Sequence, residues 1–206
     1  MKKYLKKLFE KLGYTITKIS DQENNNITDL IDIQGLDKIQ YGCADNYLKD
    51  WLNVDRNVTG SIDFHTAKVN LTKRHPFPNA VFSYGFAEDF IACLEQSELI
   101  VFLYEVFRTF KKGGVLRLSS PGLEGVLHKH YKDLASQTAI LAKQEAFDMW
   151  SNIHFCSFAE LELICKHIGF NEINRVEFGK SAFPVLTGLD TRINQIGLNA
   201  YIEIVK

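Results

Sequence analysis

The sequence lacks an excess of charge of either sign. Among 206 residues, 24 lysines and arginines stand against 25 aspartates and glutamates, so the formal net charge is −1. Proteins that bind nucleic acid usually carry a basic stripe or a strongly basic domain. The composition therefore predicts no nucleic-acid partner, although a short basic patch is present near the amino terminus.

Paired cysteines are also lacking. Cys43, Cys93, Cys156 and Cys165 form no Cys-x-x-Cys motif and show no zinc-ligand spacing. The chain is also longer than the small domains that depend on disulfides. We therefore expect reduced thiols, a cytoplasmic protein and no metal site.

Long apolar runs are absent as well. No run approaches the roughly 20 residues of a membrane-spanning helix, and charged residues at 6, 7, 10 and 11 interrupt the stretch that a signal peptide would need. The hydrophobic fraction of 46% and the charged fraction of 24% are those of a globular protein, and fifteen phenylalanines supply core volume. One domain with a short appendage is the expected organisation.

The appendage is predicted at residues 1–30. Residues 1–12 have helical spacing, with apolar side chains on one face and lysines on the other. This helix either docks on the main domain or contacts an anionic membrane surface or a partner protein. A polar loop follows, and the main domain is expected over residues 31–206.

Apolar runs that predict strands alternate with helical periodicity along the main domain. The predicted strands are residues 38–42, 51–55, 67–71, 80–84, 115–120, 171–178 and 200–205, and the predicted helices are residues 98–110, roughly 123–150, and 158–168. Such alternation implies βαβ units. The predicted fold class is α/β, with a mostly parallel, twisted sheet of about seven strands flanked by helices.

The most informative stretch joins the first two predicted strands. A turn of small residues begins at Gly42, and the next strand ends at Asp55. Small residues allow a ligand to approach backbone N–H groups, and a carboxylate at a strand end can bind ribose hydroxyls. Asp55 follows Gly42 by 13 positions, which is shorter than the roughly 20 typical of dinucleotide-binding folds. The spacing therefore argues against NAD.

This stretch resembles the Gly-Cys-Gly turn and following Asn-Val-Asp of a subset of class I S-adenosylmethionine-dependent methyltransferases. Residues 80–90, 104–124 and 154–170 resemble, in the same order, that family's fourth strand, its Lys-Pro-Gly-Gly run and its late helix ending in Gly-Phe. The resemblance implies a Rossmann-like methyltransferase fold that uses S-adenosylmethionine and releases S-adenosylhomocysteine. Because this subset often works on sugars or polysaccharides, it also implies a small-molecule or saccharide acceptor.

The resemblance also assigns the candidate site residues. The proposed cofactor-binding set comprises the turn after the first strand, the ribose-binding carboxylate, two residues near the adenine and one residue where the methyl group would emerge: Gly42, Cys43, Ala44, Asn46, Asp55, Asn70, Leu71 and Ser83. His154 and Tyr84 are the catalytic candidates. No fixed triad is expected, because the sulfonium leaving group is already activated and alignment supplies much of the rate.

Several residues depart from the family pattern. Gln40 stands where an acidic residue is usual, and Ala44 and Asn46 replace glycines. A methyl group at the closest approach and a lost charged hydrogen bond would each weaken cofactor binding. A second hypothesis is therefore a catalytically degenerate relative that acts as a binding or scaffold subunit.

Overall fold

A seven-stranded sheet organises the chain. The computed structural model describes residues 33, 35–60, 62–132 and 135–206, so the predicted unit of residues 1–30 lies outside the described residues. The strands are β1 (Lys38–Tyr41), β2 (Leu52–Asp55), β3 (His65–Lys68), β4 (Phe82–Glu88), β5 (Phe110–Pro121), β6 (Glu172–Arg175) and β7 (Asn199–Val205).

The strand order is β3-β2-β1-β4-β5-β7-β6. Neighbouring strands from β3 to β5 pair in parallel, whereas β7 runs antiparallel to both β5 and β6. The chain leaves β1 in one direction along the sheet and returns to β4 on its other side. This reversal creates a crevice at the carboxyl ends of β1 and β4, where open α/β sheets bind ligands. The predicted fold class, a Rossmann-like methyltransferase fold, is confirmed.

Four α-helices lie in the described residues: α1 (Gln96–Thr109), α2 (Leu123–His130), α3 (Ser136–Lys143) and α4 (Phe158–Ile168). The Ser157 hydroxyl caps α4 by accepting the Glu160 N–H at 3.1 Å, and Gly169 ends the helix with φ 113°. The predicted single helix over roughly 123–150 is wrong. α2 ends at His130, and α3 runs into a π-helix at Gln144–Met149, because these segments fold back on each other around a small apolar cluster.

The first face of the sheet carries the main core. Ile39 and Tyr41 from β1 and Leu116 and Leu118 from β5 meet the apolar sides of α1 and α4 there. Side chains alternate across a strand, so Gln40 and Arg117 point to the second face. A smaller apolar cluster that includes Phe86 and Leu186 lies on that face.

No helix joins β1 to β2, β2 to β3 or β3 to β4 within residues 35–60 and 62–88. The β1–β2 connection is instead fastened by two buried amide side chains. Gln40 donates to the Asn46 carbonyl at 2.9 Å and accepts from the Leu48 N–H at 3.2 Å. Asn53 also accepts from Leu48 N–H, at 2.8 Å, and donates to the Leu48 carbonyl at 3.0 Å. The polar residue at Gln40 therefore holds the connection.

A buried ion-pair cluster fastens the segment before β7 to the second face. Arg117 is fully buried, and its Nε lies 3.0 Å from Asp190 Oδ1 while its Nη1 lies 2.9 Å from Glu203 Oε1. The same guanidinium donates to the carbonyls of Lys180 and Glu177. Its Nη2 also donates to Asp190 Oδ2, so all five N–H donors of Arg117 have an acceptor within this cluster.

Candidate active site

The carboxyl edge of the sheet holds a cleft of about 400 Å³ beside β2 and β3. This volume lies in the range of small-molecule sites, about 300–1,000 Å³. Three predicted site residues, Asp55, Asn70 and Leu71, meet in it. The remaining lining residues were not predicted as site residues: Arg56, Val69, Thr72, Phe90, Cys93, Leu94, Glu95, Glu98 and Ile153.

Asp55 ends β2 and has two backbone partners. Its Oδ2 accepts the Ala44 N–H at 3.1 Å, and its Oδ1 accepts the Asn57 N–H at 2.9 Å. The carboxylate therefore joins the turn after β1 to the loop after β2. An ionised carboxylate has about four lone-pair sites, so it retains acceptor capacity on the cleft side.

Asn70 shapes the loop after β3. Its Oδ1 accepts from the Thr72 N–H at 3.1 Å and from the Thr72 hydroxyl at 2.9 Å, and the Arg56 guanidinium donates to the same oxygen at 3.1 Å. Arg56, which lines the cleft, thereby connects the end of β2 to the loop after β3. The sequence predicted Asn70 within the third strand, whereas it lies in the loop after β3, and the sequence gave no signal for this arginine contact.

The turn after β1 satisfies its own donors. The N–H groups of Gly42 and Cys43 both point to the Val54 carbonyl, at 2.9 and 3.3 Å, and the Asn46 N–H donates to the Cys43 carbonyl at 2.9 Å. With the Ala44 bond to Asp55, four N–H groups of the predicted cofactor cradle have acceptors within the protein. Ala44 takes φ 44°, a left-handed conformation that costs an L-residue roughly 1–2 kcal/mol and explains why glycine is usual there.

The side chain of Phe90, which is distant in sequence, leaves no room for a side chain at Gly42. A Cβ at Gly42 would lie 2.6–2.8 Å from three atoms of the Phe90 side chain. Phe90 also packs edge-on against Phe102 of α1, with ring centroids 5.1 Å apart. The close approach that the glycine permits is therefore made by Phe90, which in turn forms one wall of the cleft.

Two predicted site residues lie elsewhere. β4 extends to Glu88, so Ser83 and Tyr84 stand at its amino end, and the expectation that they mark its carboxyl end is wrong. Ser83 Oγ accepts from Lys111, and Tyr84 packs near Phe183 on the second face. The prediction failed because Gly85 resembled a strand end, whereas the buried Phe86 and Ala87 continue the strand.

His154 lies next to Ile153, which lines the cleft. The backbone N–H of His154 donates to the Ala92 carbonyl at 3.1 Å, and the ring Nε2 lies 3.1 Å from Glu160 Oε2. Its Nδ1 is buried and has no hydrogen-bond partner among the residues that the structure describes. The Glu160 contact favours the tautomer with hydrogen on Nε2, which leaves Nδ1 as an acceptor.

Asp89 follows β4 and was not among the predicted site residues. It takes φ 53° and is held by the side-chain amide of Asn199 at 3.2 Å and by the Arg192 guanidinium at 3.3 Å. Burial raises the pKa of the Asp89 carboxyl above its ordinary value, against the hydrogen bond from Asn199. Backbone strain at a strand end is a structural property that composition and periodicity do not reveal.

Cys43 is suited to packing and unsuited to nucleophilic chemistry. Burial, together with the nearby charge of Asp55, raises the pKa of the Cys43 thiol to about 12. A thiol with such a pKa stays protonated near neutral pH, and the thiolate is the reactive form. Among the described residues, no group of three or more histidine, cysteine, aspartate or glutamate side chains is arranged to hold a metal ion.

The fold is shared with solved S-adenosylmethionine-dependent methyltransferases. One from Archaeoglobus fulgidus aligns over 100% of this chain and 94% of its own, with 14% identity and a TM-score of 0.55. One from Mesorhizobium loti covers 84% and 91%, with 12% identity and a TM-score of 0.54. A third from Thermotoga maritima, described as a possible histamine N-methyltransferase, covers 82% and 81%, with 14% identity and a TM-score of 0.52. The chain matches no protein-family model and no curated protein.

Proposed function

We propose that the chain is an S-adenosylmethionine-dependent methyltransferase that acts on a small-molecule or saccharide acceptor. The observation that carries the proposal is the cleft at the carboxyl edge. Asp55, Asn70 and Leu71, which come from two different strand ends, line it together. The proposal is further supported by the methyltransferase topology of the sheet.

The cleft residues fit the adenosine part of the cofactor. Asp55 keeps lone pairs for ribose hydroxyls beside its two backbone bonds. Val69, Leu71 and Leu94 provide apolar walls for a base. When bound, S-adenosylmethionine would supply an electrophilic methyl group on a sulfonium leaving group.

His154 is the proposed general base for a hydroxyl acceptor. The Glu160 carboxylate orients the imidazole through Nε2. The Nδ1 atom, which has no hydrogen-bond partner among the described residues, is buried, so an acceptor hydroxyl would reach it only after the side chains around it move. Proton transfer to such a positioned group typically contributes a factor of about 10²–10⁴ to the rate. Tyr84 has no place in this proposal, because it lies at the opposite edge of the sheet.

The Asp55→Ala variant tests the cofactor site. We expect S-adenosylmethionine and S-adenosylhomocysteine to bind about tenfold or more weakly, because a ribose-binding acceptor is lost. Calorimetric titration measures the affinities. Since Asp55 also holds Ala44, the matched Asp55→Asn variant keeps acceptor oxygen for one backbone bond, and circular dichroism checks the fold. Unchanged affinity in a folded Asp55→Ala protein would remove Asp55 from the site.

A second candidate function is a non-catalytic binding or scaffold subunit. The internal hydrogen bonds of Gly42, Cys43, Ala44 and Asn46 favour it, because these N–H groups have acceptors without a ligand. Titration of the wild-type protein separates the two functions. A folded protein that binds neither cofactor form at millimolar concentration would support the subunit.

The proposal places the enzyme in the cytoplasm, and four free thiols support this setting. Within the described residues, no helix combines the length and the apolar character needed to cross a membrane. Contact of residues 1–12 with a membrane surface or another protein remains a prediction from the sequence.

A further inference from the structure

The two halves of S-adenosylmethionine need different binding chemistry. The nucleoside half is neutral, and it needs acceptors for its sugar hydroxyls and apolar walls for its base. The amino-acid tail carries a carboxylate, which needs N–H donors or a cation when it leaves water, and an ammonium group, which needs acceptors. A site can therefore be open to one half and closed to the other.

The nucleoside half has an open site in this chain. The cleft is bounded by the Asp55 carboxylate, by the Asn70–Thr72 loop and by apolar side chains from three segments. Two of the Asp55 lone-pair sites accept the N–H groups of Ala44 and Asn57, so two remain of the roughly four that a carboxylate offers.

The tail half finds four N–H donors of the turn after β1 already occupied. The N–H groups of Gly42, Cys43, Ala44 and Asn46 each donate to a protein oxygen, at distances from 2.9 to 3.3 Å. A ligand carboxylate could use the Ala44 N–H only by displacing the Asp55 oxygen. That exchange would replace one charged acceptor with another, so it would add little to the binding free energy.

Phe90 fills the space over the same turn. Its Cβ, Cγ and Cδ2 lie 2.6–2.8 Å from the position of a Cβ on Gly42. Contacts between carbon atoms are normally about 3.5–4.0 Å, so no ligand atom fits between the ring and Gly42. The ring also lines the cleft, where it forms the boundary between the open half and the closed half.

We propose that Phe90, together with the Asp55–Ala44 hydrogen bond, limits recognition in this cleft to the 5′-substituted adenosine part of the ligand and makes contact with the amino-acid tail of S-adenosylmethionine depend on a gating step. The inference rests on the proposed function, because it concerns the same cleft. The tail reaches the turn only when the Phe90 side chain moves away from Gly42. The affinity for the complete cofactor is then reduced by the fraction of molecules in which Phe90 has moved.

Calorimetric titration of the wild-type full chain tests this limit on recognition directly. The ligands are 5′-methylthioadenosine, adenosine, S-adenosylhomocysteine and S-adenosylmethionine. We expect 5′-methylthioadenosine to bind as tightly as S-adenosylhomocysteine, within about threefold, because the tail gains no contacts in the closed state. Binding of S-adenosylhomocysteine about tenfold or more tighter than 5′-methylthioadenosine would overturn the inference.

Phe90→Ala and Phe90→Leu test the gate. Both remove ring atoms from the turn, and Leu retains more of the packing against Phe102. We expect S-adenosylhomocysteine to gain about tenfold in affinity relative to 5′-methylthioadenosine in Phe90→Ala, with a smaller gain in Phe90→Leu. Thermal unfolding shows whether each variant is folded. If Phe90→Ala does not fold, the gate is tested by Phe90→Leu and by the ratio of ligand affinities in the wild-type protein.

Ile153→Ala is the matched control. Ile153 lines the same cleft and is 54% exposed, so its loss is expected to change the affinities for both ligands by the same factor. An unchanged ligand ratio in both Phe90 variants would overturn the gate and leave the proposed function standing. Failure of all four ligands to bind wild-type and variant proteins would overturn the cofactor site itself.

Discussion

His75 lies beneath the cleft and connects it to α1. The side chain is buried, and its Nε2 lies 3.2 Å from the Leu71 carbonyl. The backbone N–H of His75 donates to Glu105 Oε2 at 2.9 Å. Leu71 lines the cleft, so this histidine supports a site residue. Its Nδ1 has no hydrogen-bond partner among the described residues, which is consistent with a neutral ring.

Burial lowers the pKa of His75 to about 4, from an ordinary value of 6.5. The unfolded chain therefore binds more protons than the folded chain between these pH values. We expect the free energy of unfolding to fall by about 3 kcal/mol from this residue as the pH drops from 6.5 to 4. Urea denaturation across this range measures the loss.

His75→Gln separates this contribution from that of carboxylates such as Glu105. The glutamine amide of the variant does not titrate, so the free-energy cost of burying it does not change with pH. The variant should therefore lose less free energy of unfolding between pH 6.5 and pH 4 than the wild type does. Equal losses in the two proteins would show that His75 is not the group that titrates.

The role of Gly42 shows what a sequence can and cannot reveal about a single residue. The turn and its small residues were predicted from the local pattern, and so was the position of Asp55. The partner that makes the glycine necessary is Phe90, which approaches from the end of another strand. No local pattern contains that contact, because it depends on how β1 and β4 lie in the sheet.

At the scale of elements, periodic segments were predicted well and interrupted ones were not. α1 and α4 were located to within two residues, because their apolar spacing is regular and α4 is bounded by Ser157 and Gly169. β4 was placed too early because Gly85 lies inside it. This glycine is needed there, since a Cβ would lie 2.5 Å from the Phe110 ring.

The β1–β2 connection replaces a helix with hydrogen bonds from side chains. Asn53 is fully buried, and its side-chain amide forms hydrogen bonds with the backbone of Leu48, Trp51 and His65. A loop held in this way depends on a few polar atoms, because it has no helical hydrogen bonds of its own. The same loop precedes β2 and so positions Asp55.

Asn53→Ala tests this dependence. Removing the amide takes a hydrogen-bond donor from the carbonyls of Leu48, Trp51 and His65, and a buried group left without a partner costs about 1–3 kcal/mol. We expect the free energy of unfolding to decrease by about 2 kcal/mol or more, as measured by urea denaturation. Exposed Asn57 lies four positions further along the chain, and the Asn57→Ala control should leave stability nearly unchanged. Comparable effects of the two substitutions would contradict the role assigned to Asn53.

At the scale of the whole molecule, the two faces of the sheet are stabilised differently. The first face packs against α1 and α4 through a continuous apolar core. On the second face, the segment before β7 is attached through the Arg117 cluster, beside a smaller apolar cluster. In the same segment, the Thr191 N–H donates to the Glu88 carboxylate and Arg192 forms an ion pair with Asp89. The ion-pair cluster therefore also positions the carboxyl end of β4.

Asp190→Asn tests how much the fold depends on this cluster. The substitution removes the charge that accepts two hydrogen bonds from the buried Arg117, which still pairs with Glu203, and a hydrogen bond to a charged group is worth about 1.5–3 kcal/mol. We expect a loss of that order in the free energy of unfolding, measured by urea denaturation. Glu177→Gln is the matched control, because its side chain pairs with Lys180 in solvent and should be replaceable without a measurable change. If Asp190→Asn were equally neutral, the second face would have to be held by its apolar contacts alone, and the arrangement of Thr191 and Arg192 at the end of β4 would not depend on Arg117.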